Sequence, residues 1–529
     1  MNAASPSVEQ NFHQKETPRA SLSDWLAVVA GTISSFMATL DISIVNAALP
    51  TIQGEVGASG TEGTWISTSY LVSEIIMIPL ASWFVRVLGL RNFLFFCALV
   101  FTAFSIICGM SDSLIMMIVG RIGQGFAGGA LIPTALTIVA TRLPAEKQPL
   151  GTAMFGMTVI LGPILGPILG GWLTENISWH YAFFVNVPVS LGLLVLLFVG
   201  LPFEKADWRG LLHIDFLGVY GLAAGLGGLT VILEEGQRER WFESELIIQL
   251  AVVTLTGFIA LILSQFQRRR PVVRLSLLLD RSFSAVLVMI MAVGMILFGV
   301  MFIIPQFLAT ISGYNAEQSG LVVLLSGIPT LMMMPFVPVL LQKIDVRLLV
   351  FIGMIFFGLA CILNQLLSVS VGGSHFVMGQ LLQGCGLALC MLPLNQAAIS
   401  TVAPELAGDA SGLFSAARNL GGSMGLALIS TFQDRRLTLH TEVLGSSVSA
   451  NSPKVQEVIH FICQRAEGAR VADLTARCLG QVSKVMRQQA LVLTYSDLFW
   501  IFGCIVACAI PLVFLLKPLP SKGIQHVGH

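Results

Sequence analysis

Apolar residues along this 529-residue chain gather into about fourteen long runs rather than short alternating patches. The runs lie near 25–49, 63–85, 92–110, 114–138, 149–173, 181–201, 214–234, 245–266, 283–309, 317–341, 348–368, 375–398, 409–431 and 494–516. About 20 apolar residues in a helix cross a hydrocarbon core of roughly 30 Å, so each run has the length of a span. The pattern predicts an all-α polytopic membrane protein. The seventh and eighth runs are the least regular, because Glu234, Glu235 and the segment Gln237 to Glu245 interrupt them.

Composition agrees: charged residues make up only 11% of the chain, apolar residues 55%, and mean hydropathy is +0.83. Soluble domains carry about 25% charged residues. Formal net charge is zero, which leaves a nucleic-acid partner without an electrostatic footprint. Lys and Arg are asymmetric: 17 fall in the terminal segments and in the short loops on the same side, against only Arg238 and Arg240 in the short loops opposite. The positive-inside rule then puts both termini in the cytoplasm. Residues 1–24 are expected to be a cytoplasmic tail; the first 20 are polar, without the apolar stretch of a cleaved signal peptide.

The chain resembles itself. The turn Arg86 to Arg91 after the second run is echoed by Lys343 to Arg347 after the tenth, and Arg121, Gln124 and Gly125 are echoed by Gln380, Gln383 and Gly384. The expected organisation is a six-helix bundle over 25–201, a linker with two additional helices over 202–282, a second six-helix bundle over 283–516 and a cytoplasmic tail over 517–529. Parallel halves with a substrate site near the midplane between them are a known transporter plan.

Asp41, Glu74 and Arg121 are the informative residues, because ionisable side chains at bilayer depth cost roughly 2.5–3.5 kcal/mol and mark ion, proton or substrate paths. Counting about 1.5 Å per residue along each helix puts all three in the outer half, within roughly 8 Å of one another in depth. Arg keeps a neighbouring carboxylate ionised, whereas a buried carboxylate without a partner is driven towards its neutral acid. Two acids against one Arg would leave one carboxylate free to carry a proton or meet a cationic substrate, provided that all three face one cavity. A permanent Arg–acid pair that only anchors helices is the bland alternative.

Other patterns carry less. Gly123-Gln-Gly125-Phe-Ala-Gly128 and Gly421-Gly-Ser423-Met-Gly425 match a dinucleotide fingerprint and a hydrolase elbow in letters. Both need a preceding strand, and small residues in membrane helices serve close packing. No enzymatic activity, cofactor or metal site is expected; His440 and His460 lack ligand spacing and read as solvated. Seven cysteines lie in predicted helices. Cys463 and Cys478 fall in the external segment 433–493; one straight helix would hold them about 22 Å apart, so a disulfide between them requires a helical hairpin. In that segment Val455, Val458, Ile459 and Ile462 have amphipathic helical spacing. Asn46, Gln306, Asn395 and Gln396 are polar candidates for lining a substrate cavity.

Four motifs then carry a family resemblance: Leu40-Asp41-Ile-Ser-Ile-Val-Asn46-Ala-Ala-Leu49-Pro50; Arg121-Ile-Gly-Gln124-Gly125; Gly162-Pro163-Ile-Leu-Gly166-Pro167-Ile-Leu-Gly170-Gly171; and Trp179-His-Tyr-Ala-Phe-Phe-Val-Asn186-Val-Pro188. In this order they resemble the signatures of fourteen-helix drug:proton antiporters of the major facilitator superfamily. Ala410-Ser411-Gly412, Arg418-Asn419-Leu420-Gly421-Gly422 and the long external segment resemble the EmrB-type branch.

The resemblance implies the major facilitator fold, an address in a bacterial inner membrane, and export of amphipathic toxic compounds against inward proton flow, with the proton gradient in place of a cofactor. It associates Asp41 and Arg121 with proton coupling and the helix-five motif with antiport. It also implies a periplasmic adaptor and an outer-membrane channel, for which the external segment is a candidate docking surface. The resemblance departs at the cytoplasmic turn, where an Asp is usual and this chain has Arg86; only Gly89 and Arg91 match, so locking by that Asp is not carried over. Glu74 lies outside the general signature and rests on burial alone. Export of one dedicated metabolite and proton symport stay open on the same fold, and a scaffold or sensor without turnover is the reading from another class. One inward proton supplies about 2.3 kcal/mol per 100 mV, enough with a pH difference for roughly 100-fold export of a neutral compound.

Overall fold

The computed structural model describes residues 20–59, 62–144, 146–207, 214–267, 271–403, 406–447 and 471–518. Among them every regular element is helical. Helices cover all fourteen predicted runs: α1 (Leu22–Glu55), α2 (Trp65–Leu88), α3 (Leu90–Gly109), α4 (Leu114–Arg142), α5 (Gln148–Asn176), α6 (Tyr181–Gly200), α7 (Phe216–Glu235), α8 (Glu245–Gln267), α9 (Arg281–Thr310), α10 (Glu317–Met333 and Val337–Lys343), α11 (Val346–Gln365), α12 (Gly373–Ser400), α13 (Ala407–Ser447) and α14 (Val471–Ala509).

Twelve of the helices are long and apolar enough to cross a membrane, and α10 adds a thirteenth as two segments bent by 52°. The remaining span, within α13, is continuous helix, but Asp409, Arg418 and many Gly, Ser and Ala residues dilute its apolarity. Helix ends differ from the hydropathy limits for local reasons. α1 starts early because Ser21 and Asp24 form a capping box, with the Asp24 carboxylate accepting from the Ser21 amide at 2.9 Å. It continues through Pro50 to Glu55.

α1 to α6 pack into one bundle, with α1 against α5 and α2 against α4; α9 to α14 form the second, around α9 against α13 and α11 against α12. The inserted α7 and α8 pack on each other, Gly221, Gly225 and Gly257 letting the two backbones approach, and α7 also touches α2 and α13. The bundles meet where α2 and α4 touch α13 and where α5 touches α10 and α12. The side that carries Arg86, Arg91 and Arg274 is the basic face; the opposite side is the far face.

The described parts of the segment 433–493 are helical. α13 (41 residues) and α14 (39 residues) run on unbroken beyond membrane length, and at 1.5 Å per residue each is about 60 Å long. Residues 433–447 and 471–493 therefore prolong these two helices past the far face. His440 Nε2 meets Asp497 Oδ2 at 2.9 Å, and Arg436 lies 3.6 Å from the same oxygen, tying the helices together. His440 is thus half-buried and paired rather than solvated. His460, the Val455 to Ile462 pattern and Cys463 lie outside the described residues, as does the side chain of Cys478.

Candidate functional site

Arg121 is the largest fully buried side chain, 1% exposed in a helix with no local acid. Its Nη1 donates to Asp41 Oδ2 at 2.6 Å and to Gln124 Oε1 at 3.0 Å, and its Nε donates to the Ile66 carbonyl at 3.1 Å. The Tyr70 ring covers the guanidinium at 4.2 Å, a cation–π contact worth about 2 kcal/mol when desolvated. The other Asp41 oxygen accepts from Asn186 Nδ2 at 2.7 Å and Gln124 Nε2 at 3.1 Å, and Ser105 Oγ accepts from both amides. Side chains of α1, α3, α4 and α6 thereby hold one carboxylate from both sides. A charge can sit at this depth only because every lone pair facing the interior has a donor.

Glu74 stands elsewhere. It is 1% exposed on α2, one turn beyond Tyr70, but it faces the second bundle. Arg418 of α13 and Arg121 of α4 are the positive charges that act on it, and Asn419 stands next to Arg418 on α13. Arg418 donates to Asn419 Oδ1 through Nε at 3.3 Å and Nη2 at 3.2 Å, and Glu74 Oε1 is buried with no partner. The expected count of two acids against one Arg is therefore enlarged: Asp41 and Arg121 form an ion pair inside the first bundle, while Glu74 feels a second buried arginine, Arg418, from across the seam without forming an ion pair with it. Depth along a helix is readable from spacing, but the side of the helix on which an acid meets its partner is not.

Glycines bring α4 close to α2 within the first bundle. A Cβ at Gly125 or Gly128 would overlap Tyr70, and one at Gly129 would meet the Glu74 carbonyl at 2.5 Å, so the α4 glycines bring α2 and its two polar residues into place. The Gly123-x-Gly125 letters are thus a packing device.

On α5, Gly162 and Gly166 leave room for Thr39 and Ser43 of α1, while a Cβ at Gly170 would come within 2.7 Å of the Ile44 carbonyl; Gly171 has open space. Pro163 and Pro167 lie inside the same helix, each removing a backbone donor. Gly166→Val is expected to cost about 1–3 kcal/mol through overpacking, whereas Gly171→Ala leaves stability unchanged. Thermal unfolding of the detergent-solubilised protein checks this, and equal melting of the two variants would contradict the assignment of the stripe to α1–α5 packing.

At the basic face the turn after α2 is built around Gly89, whose φ of +80° suits glycine. Arg91 stacks over Phe198 at 4.8 Å, and Glu204 accepts from the Leu90 amide at 2.8 Å. Arg86 Nη1 reaches Asp409 Oδ1 of the second bundle at 2.7 Å; Ser82 also bonds that oxygen, and Arg274 Nε lies 4.0 Å from the other. Asp409 is buried at the start of α13, where a carboxylate also complements the helix N-terminus. The acid absent from the turn is thus supplied by the facing bundle, with the polarity of the pair reversed.

The cavity candidates are scattered. Asn46 is exposed and accepts from Ser67 at 2.8 Å, Gln306 Oε1 and Asn395 Oδ1 are buried without a partner, and Gln396 is half-buried. Among the described residues no hydrogen bond joins one of these four to another. Asn186 and Gln124 stood in the sequence motifs without an assigned role, and Ser105 had no signal at all. Among the described residues no group of His, Cys, Asp or Glu has metal-site geometry.

Comparison with known proteins agrees with this architecture. Residues 31–426 match the model of the Major Facilitator Superfamily. The chain is 33% identical to the colistin resistance protein EmrB of Acinetobacter baumannii, covering 91% of this chain and 94% of that protein. It is 30% identical to the multidrug export protein EmrB of Escherichia coli strain K12, covering 96% and 98%, and 29% identical to the fatty acid resistance protein FarB of Neisseria gonorrhoeae, covering 93% and 96%. The human organic anion transporter MFSD10 has a similar fold, with a TM-score of 0.59 at 14% identity over 91% of this chain and 99% of that structure. The chain is therefore a multi-pass membrane protein of the Major Facilitator Superfamily and belongs to its EmrB-type branch.

Proposed function

We propose that this protein exports amphipathic toxic compounds from the cytoplasm in exchange for protons, by alternating access of a site between the two bundles. The observation that carries the reading is the pair of buried acids with unequal surroundings. Asp41 is fully hydrogen-bonded and neutralised by Arg121. Glu74 has one bare oxygen and a counter-charge on the other bundle. When the bundles rock apart, Glu74 moves away from the charge of Arg418, and a buried carboxylate without a counter-charge takes a proton rather than stay charged. Binding and release of a proton are thereby tied to the movement that exposes the substrate site to either side.

The proton gradient drives the cycle and no cofactor is involved. The basic face is the cytoplasmic face of a bacterial inner membrane, with both chain ends inside, and the arrangement is a closed cytoplasmic side latched by Arg86 and Asp409. The prolonged α13 and α14 extend into the periplasm, where an adaptor leading to an outer-membrane channel docks. Relatives named for multidrug export and for colistin and fatty acid resistance support an amphipathic substrate class.

Inverted membrane vesicles distinguish export from symport. Energised vesicles containing the protein are expected to accumulate a fluorescent amphipathic cation, and a protonophore is expected to abolish the accumulation. Accumulation only in right-side-out vesicles would instead establish uptake.

A further inference from the structure

α13 carries an acid towards each side of the membrane, and each is held by a group from outside the second bundle. Asp409 takes the Arg86 guanidinium at the basic face. Asp434 lies about 25 residues further along the same helix, hence about 37 Å away, somewhat more than the roughly 30 Å hydrocarbon core. Its Oδ2 accepts from Gln237 Nε2 at 2.7 Å, and Gln237 belongs to the loop that joins the inserted α7 to α8.

That loop is bound to the first bundle. Glu235, buried at the end of α7, accepts from Thr68 Oγ1 at 2.7 Å and Thr64 Oγ1 at 3.3 Å at the start of α2, and it pairs with Arg238 at 2.7 Å. Arg238 also bonds the Thr64 hydroxyl. Trp241 folds back on the loop: its amide donates to the Gly236 carbonyl at 2.6 Å and its indole N–H to Gln237 Oε1 at 2.8 Å. Arg240 and Trp241 have φ of 56° and 55°, left-handed values that non-glycine residues keep only where the surroundings hold them. Because Trp241 holds the amide oxygen of Gln237, the Nε2 end is the one that reaches α13.

The basic end of the inserted pair is tied to α2 as well. Asp215, before α7, accepts from the Val272 amide at 3.4 Å, and the Val272 carbonyl accepts from Arg86 Nη2 at 3.4 Å. Towards α13 the same segment offers Arg274, 4.0 Å from Asp409. The inserted helices thus hold α2 at both ends of the seam and reach the far end of α13 through an exposed hydrogen bond.

We infer that Gln237 and Asp434 form the far-side latch of the transport cycle, the counterpart of Arg86 and Asp409, and that the inserted pair moves with the first bundle and carries this latch. The inference rests on the alternating-access reading above. Any movement that parts the far ends of α2 and α13 breaks the Gln237–Asp434 bond, since its donor is fastened to α2 and its acceptor is on α13. This latch sets a neutral amide against an exposed carboxylate, whereas its counterpart sets a guanidinium against a buried one, which makes the stronger bond. The far side is therefore the side that yields more easily.

The test uses the full-length protein in lipid nanodiscs, with spin labels at Ile115 of α4 and Leu439 of α13, both exposed on the far side, and with drug-dependent proton flux followed in proteoliposomes. Gln237→Ala is expected to raise the ratio of far-open to far-closed molecules roughly fivefold, the size of one hydrogen bond. Asp434→Ala is expected to do the same, and the double variant no more than either alone. Gln237→Arg turns the bond into an ion pair and is expected to move the ratio the other way and to slow the flux, a reversal that a merely structural role of the loop would not give. Unchanged distances in Gln237→Ala, or shifts that add in the double variant, would overturn the inference. Absence of drug-dependent flux in the wild type would overturn the antiport reading instead, and the distances would still decide the latch.

Discussion

Arg121→Met is expected to abolish drug-coupled proton movement and to destabilise the protein by about 3–5 kcal/mol, the cost of stranding one member of a buried ion pair. The substitution leaves Asp41 with donors from Gln124 and Asn186 but no counter-charge. Asp41→Asn is expected to be as inactive and less unstable, since Arg121 keeps Gln124, the Ile66 carbonyl and the Tyr70 ring. The double variant Asp41→Asn with Arg121→Met removes both charges and is expected to be more stable than the sum of the single losses predicts. Thermal unfolding of all four proteins gives the coupling energy; strict additivity would contradict a direct pair.

The second large effect concerns the basic face. Arg86→Asp sets a carboxylate beside the buried Asp409 in place of a 2.7 Å ion pair. Charge-assisted hydrogen bonds contribute about 1.5–3 kcal/mol, so the balance between closed and open arrangements on this side is expected to shift by roughly ten- to a hundredfold. Spin labels at Leu88 and Ala403, on the facing ends of the two bundles, are expected to move apart in Arg86→Asp. They are expected to return to the wild-type distance in Arg86→Asp with Asp409→Arg, which restores the pair with the opposite polarity. An unchanged distance in the single variant would show that the pair does not latch this face. Arg274, 4.0 Å from the other Asp409 oxygen, is too distant to replace Arg86 without movement.

Much of this architecture was legible in the chain because lipid imposes length and apolarity on every span. All fourteen runs are helices, including the run in α13, whose polar residues lower its apolarity without breaking it. The pairing of Asp41 with Arg121 was foreseeable from matching depth. The position of Glu74 was not: it shares their depth but lies outside their hydrogen-bond network, and Arg418, whose charge acts on it, comes from a helix more than 300 residues away. Arg86 reads as a departure from a familiar turn until Asp409, 323 residues on, is seen opposite it. The stretches just beyond the run in α13 and just before the last span are polar and carry no hydropathy signal, yet α13 and α14 continue through residues 433–447 and 471–493 as helices.

Alternation of Glu74 between a position near the Arg418 charge and one away from it is the centre of the proposed cycle, and proton release from reconstituted protein tests it most directly. Proteoliposomes with an imposed pH gradient are challenged with a panel of cationic and neutral amphipathic drugs while internal pH is followed, for wild type, Asp41→Asn and Glu74→Gln. Drug-dependent proton movement in the wild type that disappears in Glu74→Gln, with drug binding retained, is the predicted result. Full coupling in Glu74→Gln would contradict the assignment of the seam acid as proton carrier and return that role to Asp41.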